Sequence, residues 1–185
     1  MKKKMTILCG FILAAMLCAN LTFAQSNFSK GNKTIEGTFN YNKNSSGTSG
    51  ELSPSMGYFV TDRFALGVTA QISSNKSGGG IYGRCLLINK NKTVIYSQLT
   101  AQSMIESSED SLGETVSTRM NNVNLGLGLN YFFTKKLALT TSISNLASYT
   151  MYPVHGTVTQ PVIAIGFNGI TNPFTSPSFG ILYKF

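Results

Sequence analysis

The chain has 185 residues, 42% of them hydrophobic and only 12% charged, with a formal net charge of +8. Soluble globular domains carry about 25% charged residues, so a water-exposed enzyme surface is disfavoured, and regularly spaced apolar and aromatic residues exclude a disordered chain. The 21 Ser, 19 Thr and 16 Asn, together with 18 Gly and no Trp, describe a polar but weakly charged protein.

Residues 1–24 read as an export signal and not as part of the fold. Lys2, Lys3 and Lys4 precede an apolar run over 5–19, and Thr22-Phe23-Ala24 places small residues where a signal peptidase reads them. Cleavage is expected between Ala24 and Gln25, leaving one domain over 25–185. The run is shorter than the roughly 20 residues of a spanning helix, and bulky Leu17 before Cys18 argues against a lipid-anchored cysteine. Removing the leader takes Cys9 and Cys18 and leaves Cys85 without a cysteine partner in the mature chain, so it is read as a small apolar strand residue. It also takes three lysines and lowers the charge to +5, which weakens any case for a nucleic-acid partner.

The mature chain alternates with a period of two, the signature of strands with two unlike faces. Ile35, Gly37, Phe39 and Tyr41 oppose Glu36, Thr38, Asn40 and Asn42; Phe64, Leu66, Val68, Ala70 and Ile72 oppose Ala65, Gly67, Thr69, Gln71 and Ser73. Leu125, Leu127, Leu129, Tyr131 and Phe133 oppose Gly126, Gly128 and Asn130. In chain order, strands are expected at 33–42, 51–60, 64–75, 80–89, 93–105, 118–133, 137–149 and 177–185. Tyr58-Phe59-Val60-Thr61-Asp62-Arg63-Phe64-Ala65-Leu66 and Tyr131-Phe132-Phe133-Thr134-Lys135-Lys136-Leu137-Ala138-Leu139 are near-copies, each a Thr-led tight turn. Asn89-Lys90-Asn91-Lys92 is a third tight turn, and the intervening loops are longer. Eight such strands predict an all-β, antiparallel, up-and-down barrel, whose closure removes exposed edges. The segment 161–170 also has strand character. An even strand count, with Pro173 and Pro177 following, makes it either an extension of the last strand across a break at Asn172-Pro173 or part of the final loop.

Three features place that barrel in a membrane rather than in water. The polar face is Asn, Ser, Thr, Gly and Gln with few charges, as suits a narrow lumen. Aromatic residues gather beside the short turns (Tyr58, Phe59, Phe64, Tyr131, Phe132, Phe133 and Phe185), where rings favour the membrane interface. Most strands reach the roughly 9–11 residues that cross a bilayer. Phe64, Leu66, Val68, Leu125, Leu127 and Leu129 are then expected to face lipid.

The chain ends Phe179-Gly180-Ile181-Leu182-Tyr183-Lys184-Phe185. Its alternate apolar residues Phe179, Ile181 and Tyr183 and the terminal Phe185 resemble the C-terminal assembly signal of Gram-negative outer-membrane barrels, and the stretch 58–67 is similar to turns of small OmpA/OmpX/OmpW-like barrels. The resemblance covers 25–185. It implies an outer-membrane location, recognition of the last strand by the barrel-assembly machinery, contact with outer-membrane lipid and lipopolysaccharide, and both termini and the short turns in the periplasm. Basic residues Arg63, Lys90, Lys92, Lys135 and Lys136 would lie on that side. The long loops would face outward toward an extracellular partner, one of them carrying Glu106, Glu109, Asp110 and Glu114, a solvated tip rather than a cation site.

Little chemistry is written in the chain. His155 is the only histidine, with Ser148 and Thr157 nearby, and no Asp or Glu follows Glu114, so no catalytic triad is called for. One His and scattered carboxylates make a poor metal set. Gly78-Gly79-Gly80 lacks the Lys and the helix of a phosphate loop. No catalytic residue, metal or cofactor is expected. Parity points Glu36, Arg84 and Lys184 into the lumen, where ions persist only when paired, so Glu36 is expected to pair with Lys184 or Arg84 and to brace closure. The expected role is a structural or surface-interaction barrel with a lumen filled by polar side chains. The alternative, which the OmpW-like resemblance suggests, is a narrow conduit for small or apolar molecules.

Overall fold

The computed structural model describes residues 27–44, 47–109, 115–151, 153–154, 157–158, 162–165 and 178–185. The export signal, His155, Asp110 and Glu114 lie outside the described residues. Seven long strands follow one another, β1 (Lys33–Asn44), β2 (Gly47–Phe59), β3 (Phe64–Ser73), β4 (Lys76–Lys90), β5 (Thr93–Glu109), β6 (Thr115–Phe132) and β7 (Leu137–Met151). Each pairs antiparallel with the next. Three short strands come after them, β8 (Pro153–Val154), β9 (Thr157–Val158) and β10 (Val162–Ile165), and β11 (Ser178–Lys184) ends the fold. β11 pairs with β1 on one side, Thr34 opposite Lys184 through Asn40 opposite Ser178, and with β7 on the other. The wall is therefore a closed antiparallel barrel of β1–β7 and β11.

β10 resolves the ambiguous segment. Val162–Ile165 pairs with β7 from Thr150 to Ala147, and β11 pairs with the same strand from Thr141 to Leu137. The two pieces run in the same direction against one edge, so β10 extends the line of the last strand and does not add a ninth. β8 and β9 pair only with each other.

Four strands run farther toward the long-loop end than their apolar pattern indicates. Residues 47–50, 76–79, 106–109 and 115–117 are polar or Gly-rich, yet they are strand, so the longer loops expected between β1 and β2 and between β3 and β4 are connections of only two residues each. The ladder supplies the reason: once two neighbours are in register, each further pair adds backbone hydrogen bonds whatever the side chains. Cross-strand contacts add to it, as where Lys76 sits opposite Glu106 with Nζ 3.0 Å from Oε1. Glu106 thus belongs to a strand and is paired, and is not a loop acid.

The near-copied turns are one motif used twice. Thr61 Oγ1 accepts from the backbone N–H groups of Arg63 and Phe64, and Thr134 Oγ1 accepts in the same way from Lys136 and Leu137. The amides of Val60 and Phe133 donate to the carbonyls of Phe64 and Leu137. A short hydroxyl side chain satisfies amides that the chain reversal leaves open.

The exterior is apolar from β1 round to β11. Leu66, Val68, Ile72, Ile81 (65% exposed) and Ile181 project outward, Phe64 lies over Gly83, and Leu125, Leu127 and Leu129 are half-exposed on the same outer face. No aqueous surface of this size stays uncovered, and the band is that of a membrane-embedded barrel. At the short-turn end it is bordered by Tyr58, Tyr131, Phe133, Tyr183 and Phe185, with Tyr131 edge-on to Phe133 and Tyr183 edge-on to Phe185. Phe59 and Phe132 do not belong to this girdle. Adjacent residues in a strand cannot share a face, so in Tyr58-Phe59 and Tyr131-Phe132-Phe133 the middle rings point inward and are 1% and 2% exposed.

Cys85 is buried on β4. Val68→Arg, at mid-height on the outer face, is expected to destabilise the folded barrel by about 2–4 kcal/mol, whereas Thr69→Ser on the inner face stays within about 0.5 kcal/mol. Urea unfolding of the protein in lipid vesicles checks both.

Candidate functional site

The inward side chains form three layers. At mid-height β4 contributes Tyr82 and Arg84, β5 contributes Tyr96 and Gln98, β1 contributes Glu36 and β7 contributes Thr140. Arg84 Nη1 lies 2.9 Å from Glu36 Oε2, with the two side chains 4% and 6% exposed. Arg84 Nε donates to Gln98 Oε1 at 2.8 Å, and the guanidinium carbon is 4.0 Å from the centroid of the Tyr96 ring and 5.3 Å from that of Tyr82. Thr140 Oγ1 donates to Glu36 Oε1 at 3.2 Å, and the Tyr96 hydroxyl lies 3.4 Å from the same threonine oxygen. The ion pair joins strands that are not neighbours in the wall, so it crosses the interior.

Such a pair is stable only where neighbouring groups support it. Stripping water from both ions costs several kcal/mol each, offset by their attraction and by further hydrogen bonds. Gln98, Thr140 and two aromatic faces supply these. The rings reach their positions because of what stands opposite them. Tyr82 is paired with Gly67 and Tyr96 with Gly128. A Cβ at Gly67 would meet the Tyr82 ring at 2.4 Å, and one at Gly128 would meet the Tyr96 ring at 2.3 Å. Glycine leaves the wall thin enough for a ring to lie across it.

Below the ion pair, toward the short turns, the interior is apolar. Phe59, Ala65, Leu86, Val94, Phe132, Ala138 and Leu182 enclose Phe28, which precedes the first strand and is 1% exposed. Its ring stacks on Phe59 at 4.5 Å and meets Phe132 edge-on at 5.3 Å. The segment around it is tied to the rim on every side. Asn27 N–H donates to Asn89 Oδ1, Asn27 Nδ2 donates to the Asn91 carbonyl, Lys30 N–H donates to Asp62 Oδ1, and Gly31 N–H donates to the Phe59 carbonyl. The polar lining expected from alternation therefore holds only from the ion pair upward.

Above it the inward residues are half-buried amides and hydroxyls. Gln102 donates to Gln71, Asn122 to Thr150, Asn124 to Asn145, and Asn40 to Glu51. This layer opens toward the long-loop end. Asn130, between the ion pair and the apolar layer, is fully buried with neither side-chain atom hydrogen-bonded.

Of the three charges expected inside, Glu36 and Arg84 meet each other and Lys184 meets neither. Lys184 is paired across the ladder with Thr34, below Glu36, and its ammonium donates to the Asn27 carbonyl, 5.9 Å from the Phe28 ring and 5.8 Å from that of Phe132. Glu36 reaches the other way. Phe179, Ile181, Tyr183 and Phe185 all project outward from the last strand. Two elements escaped the sequence reading. Phe28 is a lone aromatic in a polar stretch, with no strand period around it to reveal its direction. Tyr82 and Tyr96 carry a readable signal, since both share the parity of Arg84 and face glycines on the adjoining strands. Among the described residues, no group of three or more His, Cys, Asp or Glu side chains is placed to hold a metal ion.

The barrel is similar to solved outer-membrane barrels. It superposes on the N-terminal β-barrel domain of Pseudomonas aeruginosa OprF with a TM-score of 0.59 at 15% identity, over 84% of this chain and 98% of that one. It superposes on the outer membrane protein OprG of Pseudomonas aeruginosa with a TM-score of 0.51 at 11% identity, over 87% and 99%. No protein-family model matches the sequence, and neither does any curated protein. The chain has the fold of the small outer-membrane barrels, at a sequence distance that carries the fold alone.

Removing one partner of the ion pair, by Glu36→Gln or Arg84→Met, is expected to cost about 3–5 kcal/mol, with most of it recovered in Glu36→Leu combined with Arg84→Met. A double-mutant cycle from urea unfolding in vesicles measures this. Phe28→Ala is expected to cost about 3–5 kcal/mol and to expose residues 27–32 to a protease that leaves them intact in the unaltered protein.

Proposed function

We propose that this protein is a small outer-membrane barrel with a closed interior, acting as a structural or surface-interaction element and not as an enzyme or a pore. One observation carries this conclusion: the Arg84–Glu36 pair crosses the barrel with both side chains almost fully removed from solvent. A water-filled passage through that layer would hydrate the ions, and an eight-stranded barrel has an interior only wide enough for side chains. The apolar layer around Phe28 adds a second closure below.

The partners follow from the surfaces. The apolar band takes membrane lipid, with lipopolysaccharide at the long-loop end. The outward row Phe179, Ile181, Tyr183 and Phe185 is what the barrel-assembly machinery would read during insertion. The open polar layer and the connections at that end are the places for an extracellular partner. No cofactor, metal or nucleic acid enters this scheme.

Single-channel recording of the purified, reconstituted protein is the test. A silent bilayer containing folded barrel is expected; a clear conductance, or a current that a small apolar molecule gates, would replace this proposal with a conduit.

A further inference from the structure

Charge is distributed unequally between the two ends of the barrel. Lys30 and Lys33 begin the wall, Lys90 and Lys92 flank the turn between β4 and β5, and Lys135 and Lys136 form the turn between β6 and β7; all six are exposed. The single acidic side chain on that rim among the described residues is Asp62, and its Oδ1 accepts the backbone N–H of Lys30. The opposite end is mixed in sign, with Lys76 bound to Glu106 and with Glu51 and Arg119 nearby on the strands.

The lysines also have a fixed depth. They stand next to the outward aromatic girdle: Lys33 is paired across the ladder with Tyr58, Thr93 beside Lys92 is paired with Tyr131, and the ammonium of Lys136 lies 5.9 Å from the centroid of the Tyr183 ring. Girdle rings sit at the boundary between hydrocarbon and headgroups. Lysines one or two residues beyond them reach headgroup depth, with apolar stems along the wall and ammonium groups outward.

We infer that these lysines form a collar that binds the phosphates of anionic phospholipid in the leaflet at the short-turn end, so that the barrel selects its own boundary lipid. Lys33 and Lys136 lie beside girdle rings on the perimeter and not over the mouth, which favours lipid over a soluble acidic polymer. Neighbouring lysines within a Debye length reinforce one another.

The collar rests on the membrane placement proposed above, and the test separates the two. The full mature chain is inserted into phosphatidylcholine vesicles, insertion is verified by heat-modifiable mobility and protease protection, and spin-labelled phosphatidylglycerol or phosphatidylcholine reports the motionally restricted fraction. Phosphatidylglycerol is expected to be favoured by about fivefold or more, the attraction of a single lysine to an anionic surface. That preference should fall toward unity in high salt and in the variant combining Lys90→Gln, Lys92→Gln, Lys135→Gln and Lys136→Gln. The matching Lys→Arg variant keeps it. An inserted barrel with no preference, or with one that the glutamine variant retains, overturns the collar and leaves the membrane placement standing. Binding of soluble polyglutamate without a lipid preference assigns the rim to a soluble partner and also overturns it. A chain that fails to insert overturns the placement itself.

Discussion

A backbone amide in hydrocarbon has no water to turn to, and this protein meets that constraint through its last seven-residue strand. β11 gives one edge to β1 and the other to β7, so no strand faces lipid with an open ladder at the short-turn half of the wall. Everything else follows from closure. It defines an inside and an outside, fixes the parity that sends Leu66 out and Gly67 in, and brings Glu36 on β1 and Arg84 on β4 to opposite walls of one narrow space. β10 continues the same line against β7.

Closure also explains why the interior is layered. A barrel of this size must be filled by its own side chains, and the filling changes with height. The apolar layer around Phe28 behaves as a small hydrophobic core. The ion pair above it is braced by Gln98, Thr140 and two tyrosine rings, and the amide layer above that is half-buried. The sharp boundary lies at Asn130, the buried amide between the two dry layers.

Much of this was legible in the sequence because a period of two is a strong signal when one face meets lipid. The strands, their tight turns and the inward direction of Glu36 and Arg84 follow from alternation. What alternation leaves out is partner choice and layer. It cannot say that Lys184 reaches down to Asn27 while Glu36 reaches across to Arg84, because both distances depend on strand tilt and stagger. It also misplaces aromatic runs: Phe59 and Phe132 look like girdle residues until their parity against Tyr58 and Tyr131 is counted. Phe28 was illegible because a side chain outside any strand has no parity. The polar extensions of β2, β4, β5 and β6 were missed because backbone pairing, not side-chain pattern, carries them.

The tethering of Phe28 implies something about time. Its ring needs Phe59 and Phe132 in place, and its neighbours need Asp62, Asn89, Asn91 and Lys184. Those groups come from β2 and the turn after it, from β4 and the turn after it, from β6 and from the chain's last strand, so the segment has no complete seat until the wall has closed. Residues 27–32, which precede every strand of the wall, are the part that settles last.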